Sequence, residues 1–192
     1  INPLEFCEHS CYDIPQKKEG FIMHAFTYHS PTEIVFGKDT QLQLAEQIRK
    51  YGGNRVLLVY GSGSIERSGL LNQLCQVLTE AQIPYELFGG AKANPTLEHA
   101  REGVKLALKS NADFVIGAGG GSVIDTAKAI AIGAANAPTD IWEFWTREKT
   151  PHHALPVGAV LTISAAGSES SDSAVLTNLA TGVKRGLSTE LN

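Results

Sequence analysis

The stretch GAGGGSVIDTAKAIA, residues 117–131, decides the fold of this chain. Four of its first five residues are glycine, and a helical pattern of apolar residues follows at once. The apolar run DFVIGA at 113–118 leads into the glycines and is typical of a strand covered on both faces. A buried strand that ends in glycines and turns directly into a helix predicts an α/β unit with a ligand-binding turn.

The glycines of this turn have a chemical interpretation. Without Cβ atoms, the backbone can come close to a ligand. Free N–H groups and the positive end of the helix dipole together favour an anion, most often a phosphate. Ser122, the first residue of the predicted helix, caps that helix or donates its hydroxyl to a phosphate oxygen. The alternative is a tight strand-to-helix turn that binds nothing.

Asp125 and Lys128 follow the glycines, three positions apart on the predicted helix. One interpretation is an exposed ion pair, which contributes about 0.2–0.5 kcal/mol to helix stability. The other places Asp125 in the first turn beside the anion site, where it bonds a ribose or a nicotinamide group. A carboxylate aimed at a phosphate would be repelled, so Asp125 must face elsewhere. The spacing alone leaves both interpretations open.

A second glycine-bearing turn, YGSGSIERSG at 60–69, follows the apolar run RVLLVY. It matches the dinucleotide fingerprint only in part, but it follows a predicted parallel strand, where ligands bind in open α/β sheets. The turn itself, Gly61–Ser64, contains no acid that would repel a 2′-phosphate. Its serine hydroxyls, its backbone amides and the nearby Arg67 favour NADP(H) over NAD(H).

The rest of the chain alternates between strands and helices. The predicted helices cover 39–51, 66–82, 96–110 and 122–135, and the predicted strands cover 33–37, 55–60, 85–88, 113–118 and 157–163. Asp39 is the predicted N-cap of the first helix. This alternation predicts βαβ units and an α/β fold with a mainly parallel sheet flanked by helices.

Composition excludes several other classes of protein. The chain has 192 residues, is 43% hydrophobic and 19% charged, and carries a net charge of −4. No basic face indicates nucleic-acid binding, and the apolar runs are too short to span a bilayer. The sequence has no P-loop, no HExxH and no GxSxG. Cys7, Cys11 and Cys75 favour a reduced cytoplasmic protein with incidental thiols, although Cys7 and Cys11 allow a bridge or a metal clip.

Several motifs together carry a resemblance to a known family. The chain resembles the iron-containing (group III) alcohol dehydrogenases, above all the branch of butanol dehydrogenases and NADPH-dependent aldehyde reductases. The resemblance covers 23–192 and includes their GGGSxxDxxK signature, FTYHSPTEIVFGK at 26–38, ANPT at 93–96, LTISAAGSESSDSAVLTN at 161–178 and GVKRG at 182–186. One departure is Ala166, where relatives usually have threonine in a TGSE sequence.

The resemblance implies a role for each matched position. The segment around the adenosine end is Gly61, Ser62, Gly63 and Ser64, with Ser62 where NAD-preferring relatives have aspartate. Asn94 is expected to contact the nucleotide, and Asp125 is expected near the nicotinamide. The pyrophosphate is expected against Gly120, Gly121 and Ser122, and the cleft is expected to be completed by Thr162 and Lys184.

The resemblance also implies a Rossmann-like, dehydroquinate synthase-like N-terminal domain over 23–192, without the helical C-terminal domain of the family. Residues 1–22, ahead of Met23, are expected to be a disordered or extraneous extension. The family transfers hydride between NADP(H) and a small alcohol or aldehyde with a divalent metal, iron or zinc. The metal-binding and catalytic residues are expected beyond Asn192, so we expect this part alone to be inactive and to belong to a homodimer.

Two alternatives to this function remain at the level of sequence. One is an NAD(P)-binding module without catalysis of its own. The other is a relative of glycerol dehydrogenase or dehydroquinate synthase, which share the fold and the glycine-rich turn.

Overall fold

The structure is a computed structural model that describes residues 30–191. From Thr32 onward the chain forms one compact unit. The predicted extension over 1–22 lies outside the described residues, as do Cys7 and Cys11.

A four-stranded parallel sheet forms the centre of this unit. Its strands are β1 (Val56–Gly61), β2 (Tyr85–Ala91), β3 (Phe114–Gly119) and β4 (Val157–Leu161), arranged in the order β2-β1-β3-β4. All three neighbouring pairs are parallel, which confirms the predicted mainly parallel sheet. The chain leaves β1 toward β2 on one side and later returns to β3 on the other, so the order reverses between β1 and β3. Such a switch point is where open α/β sheets bind ligands.

Helices cover both faces of this sheet, as the apolar runs in its strands predict. They are α1 (Leu44–Lys50), α2 (Ser64–Arg67), α3 (Leu70–Glu80), α4 (Leu97–Ser110), α5 (Gly121–Ala135) and α6 (Ile141–Trp145). Side chains alternate along β1, so Val56 and Leu58 pack in the cluster with α1 and α3. Leu57 and Val59 pack in the opposite cluster, which includes α4 and α5. All four side chains are fully buried.

A two-stranded antiparallel hairpin, β5 (Ser173–Asn178) and β6 (Val183–Ser188), lies beside this sheet and was not predicted. It packs on α4, α5 and α6 through a cluster that includes Leu97, Leu176 and Trp145. The Trp145 indole also donates a hydrogen bond of 3.2 Å to the carbonyl of Ala174. This short hairpin carries Lys184, one of the predicted site residues.

The predicted strand over 33–37 is wrong. These residues form no strand, and Ile34 and Phe36 are 69% and 97% exposed. Their apolar residues predict a short strand, but no described strand pairs with them. A run of apolar residues forms a strand only where a neighbouring strand accepts its backbone hydrogen bonds.

Two predicted helices are also corrected in their details. The helix over 39–51 begins with a 3-10 turn, Thr40–Gln43, and Asp39 lies in the left-handed region without a side-chain cap bond. The helix over 66–82 is divided into α2 and α3 by Gly69, which has φ of 77°. Among residues 30–191, no helix combines the length and the apolar composition needed to cross a membrane.

Candidate functional site

The predicted site residues gather at one edge of the parallel sheet. The turns after β1, β2, β3 and β4 all leave from the carboxyl ends of parallel strands, which meet at the same edge. The two glycine turns are neighbours there, because Tyr60 at the end of β1 pairs with Ala118 at the end of β3. The sheet topology therefore brings both predicted anion sites to the switch point.

The glycines of the β3–α5 turn fall into two groups with different surroundings. A Cβ on Gly117 would lie 3.1 Å from the Cα of Ile124, and a Cβ on Gly119 would lie 2.6 Å from the Cγ2 of Val123. These two glycines allow α5 to pack directly on β3. Their lack of side chains is explained by packing, and the family resemblance assigns only Gly120 and Gly121 to the pyrophosphate.

Gly120 and Gly121 face a different environment. A Cβ on Gly120 would meet nothing within 4 Å, and its φ of −86° suits any residue, so neither packing nor backbone geometry requires glycine there. A Cβ on Gly121 would lie 2.9 Å from the hydroxyl oxygen of Ser168. Open space beside Gly120 is what a close-approaching ligand needs.

The position of Ser122 corrects the capping prediction. The helix α5 begins at Gly121, with Gly120 as the N-cap, so Ser122 is the second helical residue and does not cap it. The Val123 N–H already bonds to the Gly120 carbonyl at 2.9 Å. The first amides of a helix have no acceptor within that helix, and Gly121 and Ser122 carry two of these amides.

Asp125 and Lys128 do not form the exposed ion pair that was one interpretation of their spacing. Lys128 is only 4% exposed, and its ammonium donates to the carbonyls of Ser171 and Ser173, the latter at 3.2 Å. Asp125 lies in the second turn of α5, not the first, and its carboxylate accepts a 3.2 Å hydrogen bond from the Val175 N–H. Both side chains attach the hairpin β5–β6 to α5.

Burial shifts the ionisation of both groups. It raises the pKa of the Asp125 carboxyl above its ordinary value, although hydrogen bonds from Val175 and Ser168 act in the opposite direction. Burial likewise lowers the pKa of the Lys128 ammonium, while the charge of Asp125 opposes that change. Ser168 thus touches both Asp125 and the space next to Gly121. Ser168 is not among the site residues predicted from the sequence, although it lies in the segment that resembles the TGSE sequence of the family.

The turn after β1 presents serines and one cation. Ser62 and Ser64 are exposed, and Gly63 has φ of 72° at the start of α2. The guanidinium of Arg67 lies over this turn, because a Cβ on Gly63 would be 2.6 Å from its Nη1 atom. The predicted proximity of Arg67 to the turn is confirmed.

Asn94 and Lys184 are brought together across 90 positions of sequence. The Lys184 ammonium donates a 2.9 Å hydrogen bond to Oδ1 of Asn94, which has a left-handed φ of 57°. Thr162 follows β4, and its N–H bonds to the Gly119 carbonyl at 3.0 Å. Each of the predicted site residues therefore lies in or beside a turn at this edge, or on the hairpin next to it.

Comparison with known proteins identifies the family. A family model described as iron-containing alcohol dehydrogenase matches residues 31–192. The chain belongs to the iron-containing alcohol dehydrogenases. This confirms the family resemblance carried by the motifs.

Individual relatives agree with this membership. The chain is 43% identical over 164 residues to the probable NADH-dependent butanol dehydrogenase 1 of Bacillus subtilis, covering 85% of this chain and 42% of that protein. It is 40% identical over 166 residues to the NADPH-dependent aldehyde reductase YqhD of Escherichia coli, with 85% and 42% covered. The chain thus spans less than half the length of these curated relatives.

A solved structure confirms the fold. The NADH-dependent butanol dehydrogenase A of Thermotoga maritima superposes with a TM-score of 0.85 at 41% identity, covering 88% of this chain and 42% of that one. Among these members of the family, some are named for NADH and one for NADPH, so family membership leaves the choice of coenzyme open.

The described residues fit one of the two groups that this family implies. The open space beside Gly120, the free first amides of α5 and the Lys184–Asn94 pair fit a dinucleotide at the switch point. In contrast, residues 30–191 contain no group of three or more histidine, cysteine, aspartate or glutamate side chains that could hold a metal ion. The part of the chain described by the structure therefore does not fit the metal.

Proposed function

We propose that this chain provides the dinucleotide-binding part of an NADP(H)-dependent dehydrogenase or reductase of small alcohols and aldehydes. The observation that carries the proposal is the open half of the glycine turn at the switch point. Gly120 faces empty space although neither its packing nor its φ requires a glycine. A diphosphate bound in this space would explain why residue 120 is a glycine.

The diphosphate would lie against the start of α5. The Gly121 and Ser122 amides and the Ser122 hydroxyl supply donors, and the N-terminal end of the 15-residue helix adds a positive potential. Ser168, beside Gly121, adds a hydroxyl to the same wall. No carboxylate lies in the first turn of α5, so nothing in that turn repels the phosphates.

The adenosine end would lie over the turn Gly61–Ser64. The Arg67 guanidinium above Gly63 is a charged donor for a 2′-phosphate, and Ser62 and Ser64 are exposed hydroxyls beside it. An acid in the turn would favour NAD(H) by bonding the ribose diol, and the turn has none. These contacts support NADP(H) as the preferred coenzyme.

The nicotinamide end would lie toward Asp125, Thr162 and Lys184. When bound, the nicotinamide supplies the hydride that the family exchanges with its substrate. Lys184 is oriented by Asn94, and Asp125 is held by Val175, so both polar groups are fixed before a coenzyme arrives. A metal that polarises the substrate oxygen would have to be held by residues other than those described here.

Fluorescence titration with NADPH and NADH tests the proposal. We expect saturable binding of both coenzymes, with NADPH binding more tightly. Gly120→Ala places a Cβ in the space assigned to the diphosphate and is expected to weaken binding of both coenzymes, and the larger side chain of Gly120→Val is expected to abolish it. Equal binding by the wild type and Gly120→Val would contradict the proposal.

A further inference from the structure

A groove of about 860 Å³ lies between the start of α4 and the hairpin β5–β6. Its volume falls within the range of roughly 300–1,000 Å³ that is usual for small-molecule sites. Asn94 and Lys184 form one boundary of the groove, and the remaining walls come from residues that the sequence analysis did not select. Among these are Glu98, His99 and Thr177.

Three buried polar atoms of this groove have no hydrogen-bond partner: Oε2 of Glu98, Nε2 of His99 and Oγ1 of Thr177. Among residues 30–191, these three are all the buried side-chain polar atoms found in that state. A buried polar group without a hydrogen-bond partner destabilises the fold. Their concentration in one groove indicates a ligand that pairs with them.

The three residues are held firmly by their other contacts. Oε1 of Glu98 accepts a 3.2 Å hydrogen bond from the Leu179 N–H in the hairpin. The His99 ring stacks on Phe88, with 4.4 Å between ring centroids and an interplanar angle of 18°. The Thr177 N–H bonds to the Pro95 carbonyl at 2.8 Å. The unpaired atoms are therefore preorganised rather than free to turn toward solvent.

The donor and acceptor pattern favours a neutral, hydroxyl-bearing group inside the groove. The Glu98 carboxylate only accepts hydrogen bonds, whereas the Thr177 hydroxyl both donates and accepts. Burial lowers the pKa of His99, and Lys92 acts in the same direction against the opposing effect of Glu102, so the imidazole is neutral and can do either. A phosphate placed against the Glu98 carboxylate would be repelled, and sugar hydroxyls satisfy all three groups.

The mouth of the groove carries positive charge, in contrast to its interior. Lys92 and Lys184 both line the groove and are exposed, so their ammonium groups can meet a phosphate at its mouth. We propose that this groove binds a phosphorylated sugar, with the sugar hydroxyls against Glu98, His99 and Thr177 and the phosphate at Lys92 and Lys184. The ligand is a separate sugar phosphate, because the proposed function already places the phosphates of the dinucleotide at the start of α5 and at Arg67.

This proposal does not require the dinucleotide to bind at the glycine turn, although Asn94 and Lys184 lie at the edge of both sites. Isothermal titration of the 192-residue chain with ribose 5-phosphate tests it directly. We expect saturable binding that is weakened about tenfold by Glu98→Gln, which keeps the side-chain size but replaces one carboxylate oxygen. Glu46→Gln, an exposed acid on α1, is the matched control and is expected to leave the affinity unchanged.

Thr177→Val adds a readout that a purely structural role would not produce. It removes an unpaired buried hydroxyl at nearly constant shape, so we expect Tm to rise by about 2–4 °C while ribose 5-phosphate binding weakens. A lower Tm together with unchanged binding would overturn the proposal, because the hydroxyl would then be paired within the fold or with an enclosed water.

Gly120→Val separates this proposal from the proposed function and identifies the source of the sugar phosphate. Ribose 5-phosphate should still bind to this variant when NADPH no longer does. Loss of ribose 5-phosphate affinity alone in Glu98→Gln supports a separate ligand. An equal loss of NADPH affinity would overturn the proposal, because the groove would then hold a ribose of the dinucleotide. The absence of ribose 5-phosphate binding to the wild type, with NADPH affinity unchanged in Glu98→Gln, would overturn the proposal.

Discussion

The two glycine turns at the switch point are built differently. The turn after β3 leads into α5, a helix of 15 residues, and Gly120 in this turn faces open space. The turn after β1 leads into α2, which has only four residues, and Arg67 lies over it. The N-terminus of a long helix can bind any phosphate group. Serine hydroxyls and one guanidinium can instead select a phosphate at one position of the coenzyme.

Because of this difference, we assign a different part of coenzyme binding to each turn. In our account, the β3–α5 turn supplies affinity for the diphosphate that NAD(H) and NADP(H) share. The β1–α2 turn then distinguishes the two coenzymes at the adenosine ribose. Substitutions in the first turn should change the affinity for both coenzymes together, and substitutions in the second should change their ratio.

The largest effect is expected from Gly120→Val. The side chain would fill the space beside the first amides of α5 and remove at least two hydrogen bonds to phosphate, a loss of about 3 kcal/mol or more and thus over a hundredfold in Kd. Titration with NADPH and NADH measures it, and both should lose affinity alike. Unfolding in urea serves as the control, because the φ of −86° accepts valine and stability should hold.

Gly119→Val should produce the opposite pattern one position earlier. Its Cβ would lie 2.6 Å from Val123 in the buried contact between β3 and α5, so we expect the free energy of unfolding to fall by about 1–3 kcal/mol. Urea unfolding monitored by circular dichroism measures this change. Equal stability of Gly119→Val and Gly120→Val would refute the division of the glycines into packing and open groups.

Arg67→Met tests the second turn. Loss of the guanidinium should weaken NADPH binding about tenfold, as expected for one charged hydrogen bond to the 2′-phosphate, and leave NADH binding unchanged. Lys105→Met removes the same charge from the exposed side of α4 and is the matched control. A similar loss for NADH would mean that Arg67 acts on the shared part of the coenzyme.

Ser62→Asp should have the smallest effect. A carboxylate in the turn repels a 2′-phosphate and can bond a ribose diol, so the ratio of the two dissociation constants should shift toward NADH about fivefold, or ~1 kcal/mol. Ser62→Asn has nearly the same shape without the charge and should leave the ratio close to that of the wild type. An unchanged ratio in Ser62→Asp would place the adenosine ribose elsewhere.

The sequence predicted the parallel sheet well because local patterns determine it. The strands β1 and β3 are continuous apolar runs, which is typical of strands covered on both faces. Each run leads into a recognisable glycine turn. The hairpin β5–β6 escaped prediction because it is stabilised from a distance. Asp125 and Lys128 bond to the backbone around Val175, some 50 positions along the chain, and no local pattern records such contacts.

The same limit applies to the candidate site. The glycine turns and Ser62 could be selected from their motifs, and Asn94 and Lys184 from family resemblance. The groove at Glu98 and Thr177 could not, since its residues are ordinary in sequence and become unusual only when buried without partners. The strand predicted over 33–37 failed for a related reason, because its pattern contains no information about a pairing strand.

Nuclear magnetic resonance of the chain during NADPH addition tests the central claim most directly. We expect the largest amide shifts at Gly121 and Ser122, with NADPH and NADH giving the same shifts there and different shifts at Ser62 and Arg67. Amide signals of Gly121 and Ser122 that stay unchanged at saturating NADPH would contradict the account, because the diphosphate would then lie away from the start of α5.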